Sequence, residues 1–155
     1  MKKGIILTVF FAIIIAVFTL TANENTVSSN SKINWETDFQ KAMKLAKDEN
    51  KKLFVDFTGS DWCKWCFKLD GEVFDHQEFA DFVHSKYIPV KLDYPRKKVQ
   101  SDLEKKQNKE LLEKYGVRGF PTVLIIDKEG VAVAQTGYQA GGPKNYIEHL
   151  KQIDK

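Results

Sequence analysis

Apolar residues occur along this chain with two different spacings, and each spacing predicts a different kind of element. Short apolar runs bounded by Gly, Pro or charged residues predict strands. The last two runs are separated by Asp-Lys-Glu-Gly at 127–130, which predicts a hairpin turn. The predicted strands cover residues 53–57, 87–92, 122–126 and 131–136.

Segments with helical spacing lie between these strands. Ser60 or Asp61 is in position to cap the second helix, and Pro143 suits the first turn of the last one. Helices that alternate with strands favour parallel pairing, and the final hairpin adds an antiparallel edge. We therefore predict an α/β domain, with a central mixed sheet of about four strands flanked by helices. The predicted helices cover residues 35–48, 63–72, 76–84, 102–115 and a last segment from 143.

Residues 1–22 have the composition of a targeting segment, because Lys2 and Lys3 precede an almost wholly apolar run at 5–20. That run is shorter than the roughly 20 residues that cross a bilayer. Two interpretations stay open, a cleaved signal peptide and an uncleaved anchor. Residues 23–32, rich in Asn and Ser, predict a flexible linker, and residues 33–155 form the folded domain. Under both interpretations the domain is exported.

The charge balance argues against a nucleic-acid partner. The chain has 24 basic and 21 acidic residues, and setting aside Lys2 and Lys3 leaves 22 against 21. No strong excess of positive charge remains to bind phosphates. We interpret the cluster at 96–98 (Arg-Lys-Lys) as an ordinary solvated face.

Cys63 and Cys66 are the only cysteines in the chain, and they follow a predicted buried strand. A Cys-x-x-Cys pair between a strand and a helix start is typical of a redox site. A structural disulfide across two residues closes too small a loop to add much stability. A structural zinc needs four ligands, and the three histidines do not have the spacing to complete such a site. We expect no metal and no cofactor.

Four blocks in the right order resemble the thioredoxin superfamily. They are the strand at 55–57 with its acid Asp56, the Trp-Cys-Lys-Trp-Cys run at 62–66, the strand at 90–93 with Lys91, and the Tyr-Gly-Val-Arg-Gly-Phe-Pro-Thr segment at 115–122. The likeness covers nearly all of 35–153. Within the superfamily, residues 58–63 and 68–69 look most like the exported reductases of the DsbH type, and more distantly like the carboxy-terminal domain of DsbD.

This resemblance implies a thioredoxin fold and a dithiol–disulfide exchange. Cys63, at an exposed helix start, would be the attacking thiol, with a pKa below the usual value of about 8.5 because the helix dipole favours the thiolate. Cys66, less accessible, would resolve the mixed disulfide. Asp56 would act as a buried base for Cys66, and Lys91 would pair with Asp56.

Four further residues are candidates for substrate binding. Pro121 would follow a cis peptide bond, and the backbone at Phe120 and Pro121 would pair with an extended client segment. Phe120 would add an apolar contact. Trp62 would pack against the active-site loop, and Trp65 would present an exposed apolar surface to partners.

The function predicted from these residues is an exported, monomeric thiol-disulfide oxidoreductase that reduces protein disulfides. Its partners would be disulfide-containing exported proteins and a membrane electron donor of the DsbD kind. The same cysteines could serve a disulfide oxidase or isomerase, because direction depends on the redox potential. A further alternative is a binding or chaperone module on this fold in which the cysteines are incidental.

Overall fold

The computed structural model describes residues 33–155. The targeting segment and linker predicted at 1–32 lie outside this range. The domain contains four strands, all close to their predicted positions: β1 (Lys52–Thr58), β2 (Tyr87–Asp93), β3 (Thr122–Ile126) and β4 (Ala132–Thr136). The predicted turn at 127–130 joins β3 to β4, and Asp127 closes it by accepting hydrogen bonds from the backbone N–H groups of Glu129 and Val131.

Within residues 33–155, five α-helices surround the sheet, and one of them continues into a π-helical segment. The segment follows α2 directly and extends that helix to Phe74, two residues beyond the predicted end. The bounds are α1 (Phe39–Asp48), α2 (Lys64–Leu69), the π-helical segment (Asp70–Phe74), α3 (Gln77–Lys86), α4 (Asp102–Lys114) and α5 (Gly142–Ile153).

The predicted start of the first helix at residue 35 is wrong. Asp38 caps α1 by accepting a hydrogen bond from the backbone N–H of Lys41 at 3.0 Å, so the helix begins at Phe39. Trp35 is instead part of the core and packs its ring against Phe54 and Phe74, with centroids 6.1 and 5.4 Å apart.

The sheet has the order β2-β1-β3-β4. β1 pairs with β2 in parallel, as predicted, but β3 runs antiparallel to β1 as well as to β4. Among the strands of residues 33–155, β1 and β2 are therefore the one parallel pair. In that pair Asp56 lies directly beside Lys91.

Each face of the sheet carries its own core. Leu53, Val55 and Phe57 of β1 join the core that packs under α1 and α4. Phe54 joins the opposite core, which is formed with α2, the π-helical segment, α3 and α5. Because side chains alternate along a strand, Asp56 faces the same side as Phe54 and therefore the layer that contains α2. Within residues 33–155, no helix is both long and apolar enough to cross a membrane.

Truncating a core leucine on β3 should cost far more stability than truncating an exposed one. Leu124 is 1% exposed, whereas Leu103 on α4 is 82% exposed. We expect Leu124→Ala to lower the free energy of unfolding by about 2–5 kcal/mol, because it removes buried methyl groups and leaves a cavity. The matched control Leu103→Ala should change it by less than about 0.5 kcal/mol. Urea unfolding measures both, and similar losses would contradict the core described above.

Candidate active site

The two cysteines meet at the start of α2. Cys63 and Cys66 form a disulfide, with Cα atoms 5.2 Å apart. Cys63 is itself the N-cap of α2, and its Sγ accepts a hydrogen bond from the backbone N–H of Cys66 at 3.2 Å. The predicted capping by Ser60 or Asp61 is therefore wrong, because the sulfur occupies the position that a capping oxygen usually takes.

The expected exposure of Cys63 is not found in the disulfide form. Cys63 is 5% exposed and Cys66 is 2% exposed, so both are buried and Cys63 is only slightly the more accessible. Part of this cover is intrinsic to the bond, since each bonded sulfur shields the other.

A carboxylate, a lysine and a second carboxylate lie on the same face of the sheet as α2. Asp56 is 1% exposed, which rules out a solvated strand edge. The Nζ of Lys91 lies 3.7 Å from Asp56 Oδ2 but 2.8 Å from Asp70 Oδ1. Lys91 therefore pairs more closely with Asp70, at the start of the π-helical segment, than with the predicted partner. Sequence reasoning missed Asp70.

Burial and the neighbouring charges shift the pKa values of Asp56 and Lys91. Burial raises the pKa of Asp56 from 3.8 to about 7, with Lys91 opposing the shift and Asp70 adding to it. For Lys91, burial lowers the pKa, but the charges of Asp56 and Asp70 outweigh burial and raise it above its ordinary value. Asp56 Oδ1 is buried without a hydrogen-bond partner among the described residues. A carboxyl group with a pKa near neutrality can accept and return a proton at physiological pH.

Aromatic contacts connect the loop before Cys63 with the loop before Pro121. The Phe120–Pro121 peptide bond is cis. The ring of Phe120 lies edge-on to Trp62, at 5.8 Å between centroids, and is stacked on Tyr94 at 5.0 Å. Trp62 also donates a hydrogen bond from Nε1 to the carbonyl oxygen of Tyr94 at 2.8 Å. Trp62 is therefore packed in the active-site loop, in the manner predicted for it.

Trp65, between the cysteines, is 53% exposed. Its ring lies 5.3 Å from the ring of Tyr138, and Lys68 Nζ lies over both rings at 5.2 and 4.9 Å. An exposed aromatic ring held by neighbours offers a preformed apolar contact beside the disulfide. Tyr138, which lies after β4, is a second site residue that sequence reasoning missed.

The charged stretch after β2 lies against the active-site loop. Asp61 accepts hydrogen bonds from the backbone N–H groups of Arg96, Lys97 and Lys98, at 2.9, 2.7 and 3.0 Å. These bonds, led by that from Arg96, hold the pKa of Asp61 below its ordinary value. The three basic side chains are exposed, as a solvated face would be, but the Arg96 guanidinium lies over the ring of Trp62.

The described residues contain no group of three or more His, Cys, Asp or Glu side chains that could hold a metal ion. What the arrangement can do follows from its sulfurs and its buried carboxyl group. The disulfide can accept an attacking thiolate, and the dithiol can attack another disulfide.

Comparison with known proteins agrees with this chemistry. The model of the thioredoxin-like domain family matches residues 39–153. The chain is similar to the disulfide bond reductase DsbH of Chlamydia pneumoniae, with 34% identity over 123 residues, which cover 79% of this chain and 74% of that protein.

Solved structures show the same likeness. A structure of a DsbH oxidoreductase matches with a TM-score of 0.76 and 33% identity, covering 79% of this chain and 85% of the other. The oxidised DsbD carboxy-terminal domain of Neisseria meningitidis matches in fold, with a TM-score of 0.50, 21% identity and coverage of 74% and 91%. The chain therefore belongs to the thioredoxin-like domain family and is a thiol-disulfide oxidoreductase of the type that includes DsbH.

Proposed function

We propose that the chain is an exported reductase of protein disulfides. The observation that carries the exchange chemistry of this proposal is the disulfide between Cys63 and Cys66, closed at the first turn of α2 with Cys63 Sγ facing the backbone N–H of Cys66. In the reduced protein the same N–H group is available to a thiolate on Cys63. A hydrogen bond to the charged form favours ionisation, and the thiolate is the nucleophile.

The exchange has two steps. The Cys63 thiolate attacks one sulfur of a client disulfide, which forms a mixed disulfide and releases the other client sulfur as a thiolate. The Cys66 thiolate then attacks Cys63 Sγ, which closes the protein disulfide and releases the second client thiolate. Two electrons pass from the protein to the client, so a further dithiol must reduce the protein before the next cycle.

Asp56 is the proposed base for the second step. Cys66 is buried and must lose its proton before it can attack. Asp56 lies on the sheet face that packs against α2, and burial raises its pKa to about 7, so its carboxylate form can take up that proton near neutral pH. Lys91 acts on Asp56 rather than on the sulfurs, as a positioning residue whose charge stabilises the carboxylate form.

The client would lie along the surface formed by Trp62, Trp65, Phe120 and Pro121. Trp65 supplies exposed apolar area, and Phe120 is fixed against Trp62. The backbone beside Pro121 would pair with an extended client segment as an added strand. This mode of binding suits a reductase with many clients, because the backbone contacts do not depend on client sequence.

Export and the reducing direction rest on two separate lines of support. The predicted targeting segment at 1–22 supports export, either as a cleaved signal or as an anchor. The named activity of the DsbH relative supports reduction, and the likeness to a DsbD domain supports a membrane donor of that kind. The competing functions are an oxidase or isomerase that uses the same cysteines, and a non-catalytic module.

Removing the second cysteine should trap the intermediate. We expect Cys66→Ala to accumulate a mixed disulfide between Cys63 and a disulfide-bonded test protein such as insulin, because nothing then resolves the adduct. The matched control Cys63→Ala should form none. Non-reducing electrophoresis and mass spectrometry measure the adduct. Absence of an adduct in Cys66→Ala, or equal adducts in both variants, would contradict the exchange mechanism.

The stability of the oxidised protein should fall as the pH rises from about 5 to about 7. Folded Asp56 keeps a proton that the unfolded chain releases near its ordinary pKa of 3.8. The contribution of Asp56 to the free energy of unfolding is therefore fully present below pH 3.8. It is lost as the pH rises through the folded pKa of about 7, by up to about 1.4 kcal/mol per pH unit.

Two substitutions test this assignment against a control. Asp56→Asn should flatten the pH dependence of the free energy of unfolding between pH 5 and 7, because the amide does not titrate. Asp70→Asn should weaken it, because Asp70 is a charge that raises the pKa of Asp56. Asp48→Asn, on the exposed end of α1, should leave it unchanged. Urea unfolding at several pH values measures each, and an unaltered slope in Asp56→Asn would show that another group titrates in this range.

A further inference from the structure

The segments around the disulfide differ in charge from the rest of the domain. Three of them, at 59–68 (the active-site loop and most of α2), 94–101 and 116–121, meet through the contacts of Trp62 with Tyr94 and Phe120. Together they carry six basic residues and a single acidic one, Asp61. We call the six the basic rim: Lys64, Lys68, Arg96, Lys97, Lys98 and Arg118. The near-neutral balance of the whole chain does not predict such a local excess.

Asp61 holds the backbone of three members of the basic rim in place, and its one negative charge offsets little of the positive charge of the six cations. Both oxygens of Asp61 accept backbone N–H bonds, from Arg96 at 2.9 Å and from Lys97 and Lys98 at 2.7 and 3.0 Å. The three basic side chains extend from this anchored backbone and are exposed. Asp61 is ionised at neutral pH even at its ordinary pKa of 3.8, and the backbone hydrogen bonds lower that pKa further, so the anchor persists under physiological conditions.

Specific contacts hold two of these cations close to the redox pair. The guanidinium of Arg96 lies 3.9 Å from the ring centroid of Trp62, the residue directly before Cys63. Lys98 Nζ donates a hydrogen bond to Ser60 Oγ at 2.9 Å, and Ser60 itself is bound by Asp93 at the end of β2. The positive charge is therefore built into the active-site loop.

The rim cations are also largely unpaired. Within residues 33–155, Lys68 is the one member of the rim whose side-chain cation lies within 4 Å of a carboxylate oxygen, that of Glu72 at 3.7 Å. Away from the site, surface lysines commonly have such partners, as Lys41 does with Glu36 and Lys44 with Asp48. Unpaired cations around a site attract an oppositely charged partner and raise the rate at which that partner associates with the site.

We propose that the basic rim selects clients whose disulfide or cysteine is flanked by acidic residues. This inference rests on the proposed reductase function and adds a substrate preference to it. An acidic segment placed beside the disulfide would lie near Arg96, whose guanidinium contacts Trp62, and near Lys64, which directly follows Cys63. A basic segment would meet like charges and associate slowly.

The test uses three synthetic peptides that share one disulfide, flanked by glutamates, serines or lysines. The reduced protein is mixed with each, and the second-order rate of disulfide reduction is followed by chromatography of the thiol product. At low salt we expect the glutamate peptide to react about tenfold faster than the lysine peptide, in the lower range of electrostatic steering. In about 1 M salt, where charges are screened beyond about 3 Å, the rates should converge.

The variant Lys97→Gln/Lys98→Gln should reduce the preference at least about threefold, since two of the steering charges are lost. The control Lys44→Gln/Lys47→Gln, on α1, should keep the preference of the unaltered protein. Equal rates for the acidic and basic peptides, or a preference untouched by the double substitution at 97 and 98, would overturn the inference alone. Failure to reduce even the serine peptide would overturn the proposed function, and the inference with it.

Discussion

The alternation of side chains along β1 is the constraint on which the site depends. Val55 and Phe57 point into one core, so Asp56 must point into the other, beneath the layer that contains α2 and its cysteines. A shift of one residue in the strand would move the carboxylate to the opposite face of the sheet. An acid placed in an apolar strand destabilises the fold when it ionises. Burial therefore favours the protonated form of Asp56, which raises its pKa.

The parallel pairing of β1 with β2 sets the second half of the arrangement. It puts Lys91 beside Asp56 on the same face of the sheet. There the Nζ of Lys91 also contacts Asp70, at the start of the π-helical segment. Lys91 thus pairs with two carboxylates, and Asp70 is the nearer of them. Burial raises the pKa of Asp56 to about 7, and because Lys91 is shared with Asp70, its charge offsets that rise less than it would in a pair with Asp56 alone.

The strands and the redox pair were predictable from sequence, because they follow from local patterns such as the apolar run at 53–57 and the Cys-x-x-Cys spacing. The capping of α2 by Cys63 was not predictable, because Ser60 and Asp61 are better cap residues by type. They are instead held by tertiary bonds, Ser60 to the end of β2 and Asp61 to the loop after it. Asp70 and the cations at 96–98 reach the site through strand pairing and loop docking, which no local pattern encodes. Their side chains look like ordinary surface charges in the sequence.

The most direct test of the central claim is the reduction potential of the Cys63–Cys66 pair, measured by equilibrating the purified protein with glutathione buffers. A disulfide reductase that draws electrons from a membrane donor should have a potential close to that of thioredoxin, about −270 mV. A value near about −120 mV, typical of a pair whose reduced form is strongly stabilised, would contradict the reducing direction and identify an oxidant instead.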